Sequence, residues 1–162
     1  MINKRIPFTT VQWAVWADQQ LLSFNNPAYV IGASVEVFGP IDAKYLQNAI
    51  ISVAQRHENL RAVIAMDGED YCLEVRPDCY PSFSHHDFSH DANPEGSAKA
   101  WMQERMSTPF DVLSAESLWE FAYLVISDKS GFLMIRQYHL AADGWGGLAV
   151  LKELGEVYNK ML

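Results

Sequence analysis

His139 precedes Asp143 by four residues in the stretch RQYHLAADGWGG, Arg136 to Gly147, where an apolar run gives way to glycines. An imidazole displayed at a strand-to-helix corner suits proton transfer near neutral pH, and the helix start beside it offers free N–H groups. The same spacing also describes a buried histidine bonded to backbone, with Asp143 capping the next helix. Asp143 therefore has three readings: orienting His139, capping the helix, or pairing with an arginine. Tyr138 and His139 are neighbours in a strand, so alternation sends their side chains to opposite faces and only one can line a cleft. Arg61 leads an apolar strand, a position where a guanidinium needs a carboxylate partner.

Other chemistries find less support. The cluster HHDFSHD, His85 to Asp91, has zinc-ligating atom types, but it lies in one continuous stretch without the split spacing of tetrahedral sites. No metal site is expected. There is no GxSxG elbow and no GxxxxGK phosphate loop, and neither Cys72 nor Cys79 has a basic or helix-start context. If the chain is an enzyme, it activates a nucleophile carried on a substrate.

The elements that would position His139 follow from caps, turns and periodicity. PFTTVQWAVWADQQ opens a helix at Thr9/Thr10 with Val11, Val15 and Gln19 on one face, widened by Trp13 and Trp16. AYVIGASVEVFG, Ala28 to Gly39, reads as a strand. Asp42 caps a helix with the stripe Leu46, Ala49, Ile50, Val53 and Ala54, closed by Arg56 and His57, which reads as a solvated helix end. LRAVIAM and DYCLEVRP form a hairpin across Asp67-Gly68. PSFSHHDFSHDANPEG reads as a polar connecting loop that ends at Asn93 and Pro94, the cap and first residue of a third helix. LWEFAYLVIS and GFLMIRQYHLA flank DKSG as a second hairpin. The last helix places Leu148, Leu151, Leu154 and Tyr158 on one face. This order predicts an α/β (α+β sandwich) domain over 1–162, with a mixed, mostly antiparallel sheet and helices packed on it.

Bulk composition narrows the partners. With 162 residues, 49% hydrophobic and 20% charged, the chain is long enough and apolar enough for one globular core. A net charge of -8 argues against nucleic acid and against an anionic membrane surface. No apolar run reaches the ~18 residues of a membrane span. The N-terminus lacks a signal-peptide h-region, and two cysteines make no disulfide framework, so the expected setting is the reducing cytoplasm.

Several of these stretches fall together in one family pattern. YHLAADG, Tyr138 to Gly144, resembles the His-His-x-x-x-Asp-Gly motif of nonribosomal peptide synthetase condensation domains, except at its first position. RHENLR, Arg56 to Arg61, TTVQWAVW, TPFDVLSAESLWEFAYL and HDFSHDANPEGSAKAWMQERM are similar to further segments of that family, in the same order. The resemblance covers nearly the whole chain and is to the N-terminal half of such a domain, with a chloramphenicol acetyltransferase-like fold.

The resemblance implies a role for each site residue. His139 would be the working histidine, positioning or deprotonating the α-amine of a carrier-tethered aminoacyl acceptor. That amine would attack the thioester of a carrier-tethered acyl or peptidyl donor. No cofactor would bind directly, since the phosphopantetheine arms belong to the donor and acceptor carrier domains. Asp143 would pair with Arg61 as scaffold, Gly144 would permit close backbone approach, and Trp145 and Gly146 are candidates for the substrate tunnel. The loop histidines would be incidental. Tyr138 in place of the first histidine faces away from the cleft, so tolerance is expected; Glu120 stands where an arginine is common.

The C-terminal half is absent from the sequence. The chain alone is therefore expected to condense nothing and to leave apolar surface open to self-association. The family pattern starts within about ten residues of Met1, so the expected parent is a starter synthetase, or one taking its donor from a separate carrier protein, with siderophore-type starters among the contexts. Two other readings stay open: a degenerate, non-catalytic carrier-binding module, and an epimerisation-type domain, which the N-terminal position disfavours.

Overall fold

Short polar residues set the helix starts. In the computed structural model, which describes residues 3–114 and 116–162, strand β1 (Lys4–Pro7) leads into helix α1 (Thr10–Leu22). Thr9 and Gln12 form a reciprocal capping box there, the Thr9 N–H donating to Gln12 Oε1 at 2.9 Å. Strand β2 (Val30–Phe38) precedes helix α2 (Ala43–Arg56), where the Asp42 carboxylate accepts the N–H groups of Lys44 and Tyr45. The hairpin of β3 (Ala62–Asp67) and β4 (Asp70–Val75) forms across Gly68, whose φ of 68° suits a residue without a Cβ. Strand β5 (Ser82–Asp87), helix α3 (Pro94–Met106), strands β6 (Trp119–Ser127) and β7 (Ser130–Tyr138), and helix α4 (Gly144–Asn159) complete the chain. Asn93 caps α3 by accepting the Gly96 N–H at 3.1 Å.

The strands make two sheets, where one mixed sheet was expected. β1, β4 and β3 form an antiparallel three-stranded sheet in the order β1-β4-β3. The second is four-stranded, β2-β7-β6-β5, antiparallel except where β5 runs parallel to β6. Phe121, Tyr123, Leu133 and Ile135 of this sheet join the main core with Leu46, Ile50 and Val53 of α2 and Leu151, Leu154 and Val157 of α4. The opposite face carries a smaller core, in which Ala98 of α3 meets Ala122, Leu124, Phe132 and Met134. The α2 stripe expected from periodicity is buried at all five positions.

Three expectations need correction. The loop through residues 81–96 contains β5, whose histidines are packed rather than incidental: His85 stacks on Tyr123, with ring centroids 5.7 Å apart, and His86 lies 4.5 Å from Trp101. Burial lowers the His86 imidazole from its ordinary value, so it stays neutral at physiological pH. α1 buries Trp16 and Gln19 and leaves Val11 73% exposed, with Trp16 packed in the core against Phe8, Phe24 and Tyr71. In α4, Leu151, Leu154 and Tyr158 are buried, but Leu148 is half exposed. β1 had no periodic signal. Met1, Ile2 and Ala115, within the N-terminal segment and the TPFDVLSAES turn read from sequence, lie outside the described residues.

Close packing at Gly32 yields a direct test. A Cβ on Gly32 would sit 2.5 Å from the Ile135 carbonyl oxygen and 2.9 Å from Met106 Sδ, and a backbone atom cannot rotate away. Gly32→Ala should therefore cost about 1–3 kcal/mol, read as a lower urea midpoint with unchanged slope.

Candidate active site

Strand β7 delivers His139 to the surface by burying the residue before it. Tyr138 is 2% exposed and its N–H donates to the Leu118 carbonyl at 3.0 Å, while His139, the next residue, is exposed. The His139 N–H donates to the Tyr29 carbonyl at 2.8 Å, and the two rings meet edge to face at 6.4 Å. The Tyr29 hydroxyl in turn donates to Asp18 at 2.6 Å, which fixes the ring that walls His139 on one side. Burial pushes the Tyr138 phenol well above its ordinary range, so that side chain is a neutral core group. The alternation read from the sequence is therefore seen: the substituted motif position faces inward and His139 faces out.

Asp143 is a cap. Its carboxylate accepts the Gly146 N–H at 2.8 Å and its carbonyl accepts the Gly147 N–H at 3.2 Å, starting α4. The expected Asp143–Arg61 pair is not formed. Arg61 Nε instead donates to the Ala54 carbonyl at 2.9 Å, near the end of α2, and that acceptor supplies the partner the strand-leading guanidinium needed. A Cβ at Gly144 would meet nothing within 4 Å, whereas at Gly147 it would lie 2.9 Å from Gln137 Oε1. Asp143→Ala is expected to destabilise the chain by about 1 kcal/mol, with faster amide exchange confined to the first turn of α4.

The remaining site candidates separate. Trp145 is 83% exposed on the first turn of α4. Gly146 lines a cavity of about 220 Å³ together with His57, Trp119, Val150 and Glu153. On the other side of the helix start, a slot of about 60 Å³ is lined by Ile31, Ile135, Gln137, Gly144, Gly147 and Leu148. The end of α2 is not a free helix end: Arg56 and His57 both reach Glu153 of α4, at 3.2 and 2.6 Å, and the His57 hydrogen bond leads in holding the Glu153 carboxyl below its ordinary range.

Three residues around the motif had no individual signal in the sequence. Gln12, Asn59 and Gln137 each donate a side-chain N–H to a carbonyl of the turn 140–143. Gln12 and Asn59 do sit inside TTVQWAVW and RHENLR, but the type of contact is visible only in three dimensions.

A larger cavity, about 630 Å³, surrounds a charged cluster at the other face of the sheet. Glu120 accepts from Arg105 at 2.7 and 2.8 Å and from Arg136 Nε at 2.8 Å. The Arg136 guanidinium also bonds the carbonyls of Arg105 and Thr108 and lies 4.3 Å from the Phe110 ring centroid. This gives the acidic residue at 120 its physical account: two arginines converge where the family pattern commonly has one.

Among the described residues, no group of three or more His, Cys, Asp or Glu side chains is placed to hold a metal ion. Cys72 and Cys79 are free thiols, and burial raises both above their ordinary range, which leaves little thiolate at neutral pH. No described helix is long and apolar enough to cross a membrane.

Comparison with known proteins agrees with this architecture. The condensation domain family matches residues 2–162. An isonitrile lipopeptide synthase of Streptomyces coeruleorubidus is 27% identical over 161 residues, covering 99% of this chain and 11% of that synthase. A dimodular nonribosomal peptide synthase of Bacillus subtilis is 26% identical over 156 residues, 95% of this chain and 6% of that protein. Among solved structures, the starter condensation domain of rhizomide synthetase superposes with a TM-score of 0.88 at 22% identity, covering 98% of this chain and 38% of that one. The first condensation domain of the calcium-dependent antibiotic synthetase gives 0.80 at 24% identity, over 93% and 36%. The chain thus spans well under half the length of each. Its fold is that of the condensation domains, mixed sheet and helices included, and the chain belongs to the condensation domain family.

Proposed function

We propose that this chain supplies the N-terminal wall of an amide-forming condensation site, with His139 as its working side chain. The observation that carries the reading is the exposed imidazole at the end of an otherwise buried strand, held by backbone bonds on both sides of the Tyr138 anchor. The acceptor amine attacks the donor thioester carbonyl, the tetrahedral intermediate collapses, and the donor's thiolate leaves and takes up a proton. His139 orients the amine and accepts its proton as the C–N bond forms. Backbone N–H groups in the first turn of α4 are the nearest candidates to stabilise the oxyanion. Asp143 is scaffold that starts that helix.

A thioester is already activated, so proximity and one well-placed base suffice. The substrate classes follow a relative of the same fold: a double mutant of the rhizomide synthetase starter condensation domain has been solved in complex with C8-CoA and Leu-SNAC. Donor and acceptor here would arrive on phosphopantetheine arms of carrier domains, in the cytoplasm. The opposing wall would come from a C-terminal half, and the open His139 surface is where it would seat. The reading as a non-catalytic carrier-binding module draws on Tyr138 and on the missing half; the inward-facing, buried Tyr138 side chain weakens the first argument.

Mixing the chain with a C-terminal condensation half and both loaded carriers should give amide product by mass spectrometry. Omitting that half should abolish it. Equal product from the purified chain alone would show that one wall is enough and overturn the two-wall reading.

A further inference from the structure

The turn that carries His139 is held from three directions by side-chain amides. Gln12 Nε2 of α1 donates to the Leu140 carbonyl at 3.0 Å. Asn59 Nδ2, between α2 and β3, donates to the Ala141 carbonyl, and Gln137 Nε2 of β7 donates to the Asp143 carbonyl at 2.8 Å. Each donor is itself fixed. Gln12 Oε1 accepts the Thr9 N–H in the capping box, and the Asn59 carbonyl accepts Nε1–H of buried Trp119 at 3.2 Å. Gln137 is 1% exposed, under Gly147.

Two features indicate that these amides are selected for their N–H groups. A capping box accepts Glu or Gln equally well at the position of Gln12, but only Gln has an N–H left to donate. Gln137 is buried although its Oε1 finds no hydrogen-bond partner among the described residues. An apolar side chain of similar volume would avoid that orphaned oxygen, so the bond to Asp143 is what the buried amide contributes.

We propose that Gln12, Asn59 and Gln137 are positioning residues that clamp the carbonyls after His139 and so set the direction of its imidazole. The proposal rests on His139 being the working group. It ties catalytic geometry to the α1 cap and to the end of α2, two segments that do not reach the reacting atoms. Turns with carbonyls held only by water have many orientations, whereas three fixed donors select one.

The test uses Gln12→Glu and Asn59→Asp, which keep shape and replace a donor with an acceptor at a carbonyl. Backbone amide exchange at Leu140–Asp143 should speed up about tenfold or more, while exchange within α1 and the melting temperature stay near the parent values. The His139 ring resonances should shift and broaden. In the complemented amide-forming assay, kcat should fall with acceptor KM unchanged. Unchanged exchange together with unchanged His139 resonances in both variants would overturn the clamp. Exchange and ring signals are read without substrate, so the two failures are distinct: product retained by His139→Ala sinks the catalytic reading, and unmoved turn exchange and ring signals in both Gln12→Glu and Asn59→Asp sink the clamp. Gln137→Glu is a third variant; if it does not fold, the two partly exposed positions still decide.

Discussion

Replacing Glu120 with alanine should lower folding stability by about 3–5 kcal/mol, the cost of removing one partner of a buried ion pair. Glu120 is 6% exposed and Arg136 is 1% exposed, and they sit directly opposite each other on β6 and β7. Without the carboxylate, the Arg136 guanidinium keeps its two carbonyl acceptors but loses the counter-charge of Glu120. Burial alone would raise the Glu120 carboxyl, but hydrogen bonds and charge from Arg105 and Arg136 outweigh it and hold it below the ordinary carboxylate range. The sign of the pH dependence follows. A carboxyl depressed in the folded state stabilises the fold above its unfolded value, about 4.3. That contribution is lost as pH falls through the lower folded value. The parent chain should therefore lose stability on acidification, and Glu120→Gln should flatten that limb, as urea midpoints between pH 3 and 7 would show. Arg105, 38% exposed at its side chain, should matter less, about 1 kcal/mol or below for Arg105→Ala.

Much of the scaffold was legible because its signals are local. The α2 stripe, the Asp42 and Asn93 caps, and the two hairpins each depend on residues a few positions apart, and each was read correctly. β5 failed because its residues, SFSHHD, lack apolar alternation. It is an edge strand whose histidines pack through their rings, on Tyr123 and Trp101 from other elements. β1 failed because four residues carry no period, and its place is fixed by a partner far along the chain, Arg5 meeting Glu74.

The site was half legible. His139 and Asp143 came from the motif, and Asp143 as a cap was among the readings from spacing. The need of Arg61 for a partner was legible from its position and the resemblance named Asp143; in the structure the Ala54 carbonyl fills that place. Gln12, Asn59 and Gln137 were illegible as partners because an amide donating to a carbonyl distant in sequence leaves no pattern of spacing.

His139→Ala should reduce amide formation by about 10²–10⁴-fold, the usual contribution of a positioned acid–base group. The loss should appear in kcat more than in KM, because the imidazole acts on the amine as the bond forms rather than holding the carriers. Folding should change little, since His139 is exposed and the hydrogen bond it makes, to the Tyr29 carbonyl, runs through its backbone N–H. The decisive measurement is product mass from loaded donor and acceptor carriers, with the C-terminal half supplied, for the parent chain and His139→Ala side by side. The account predicts amide from the parent and at least about a hundredfold less from the variant; equal product from the two would contradict it.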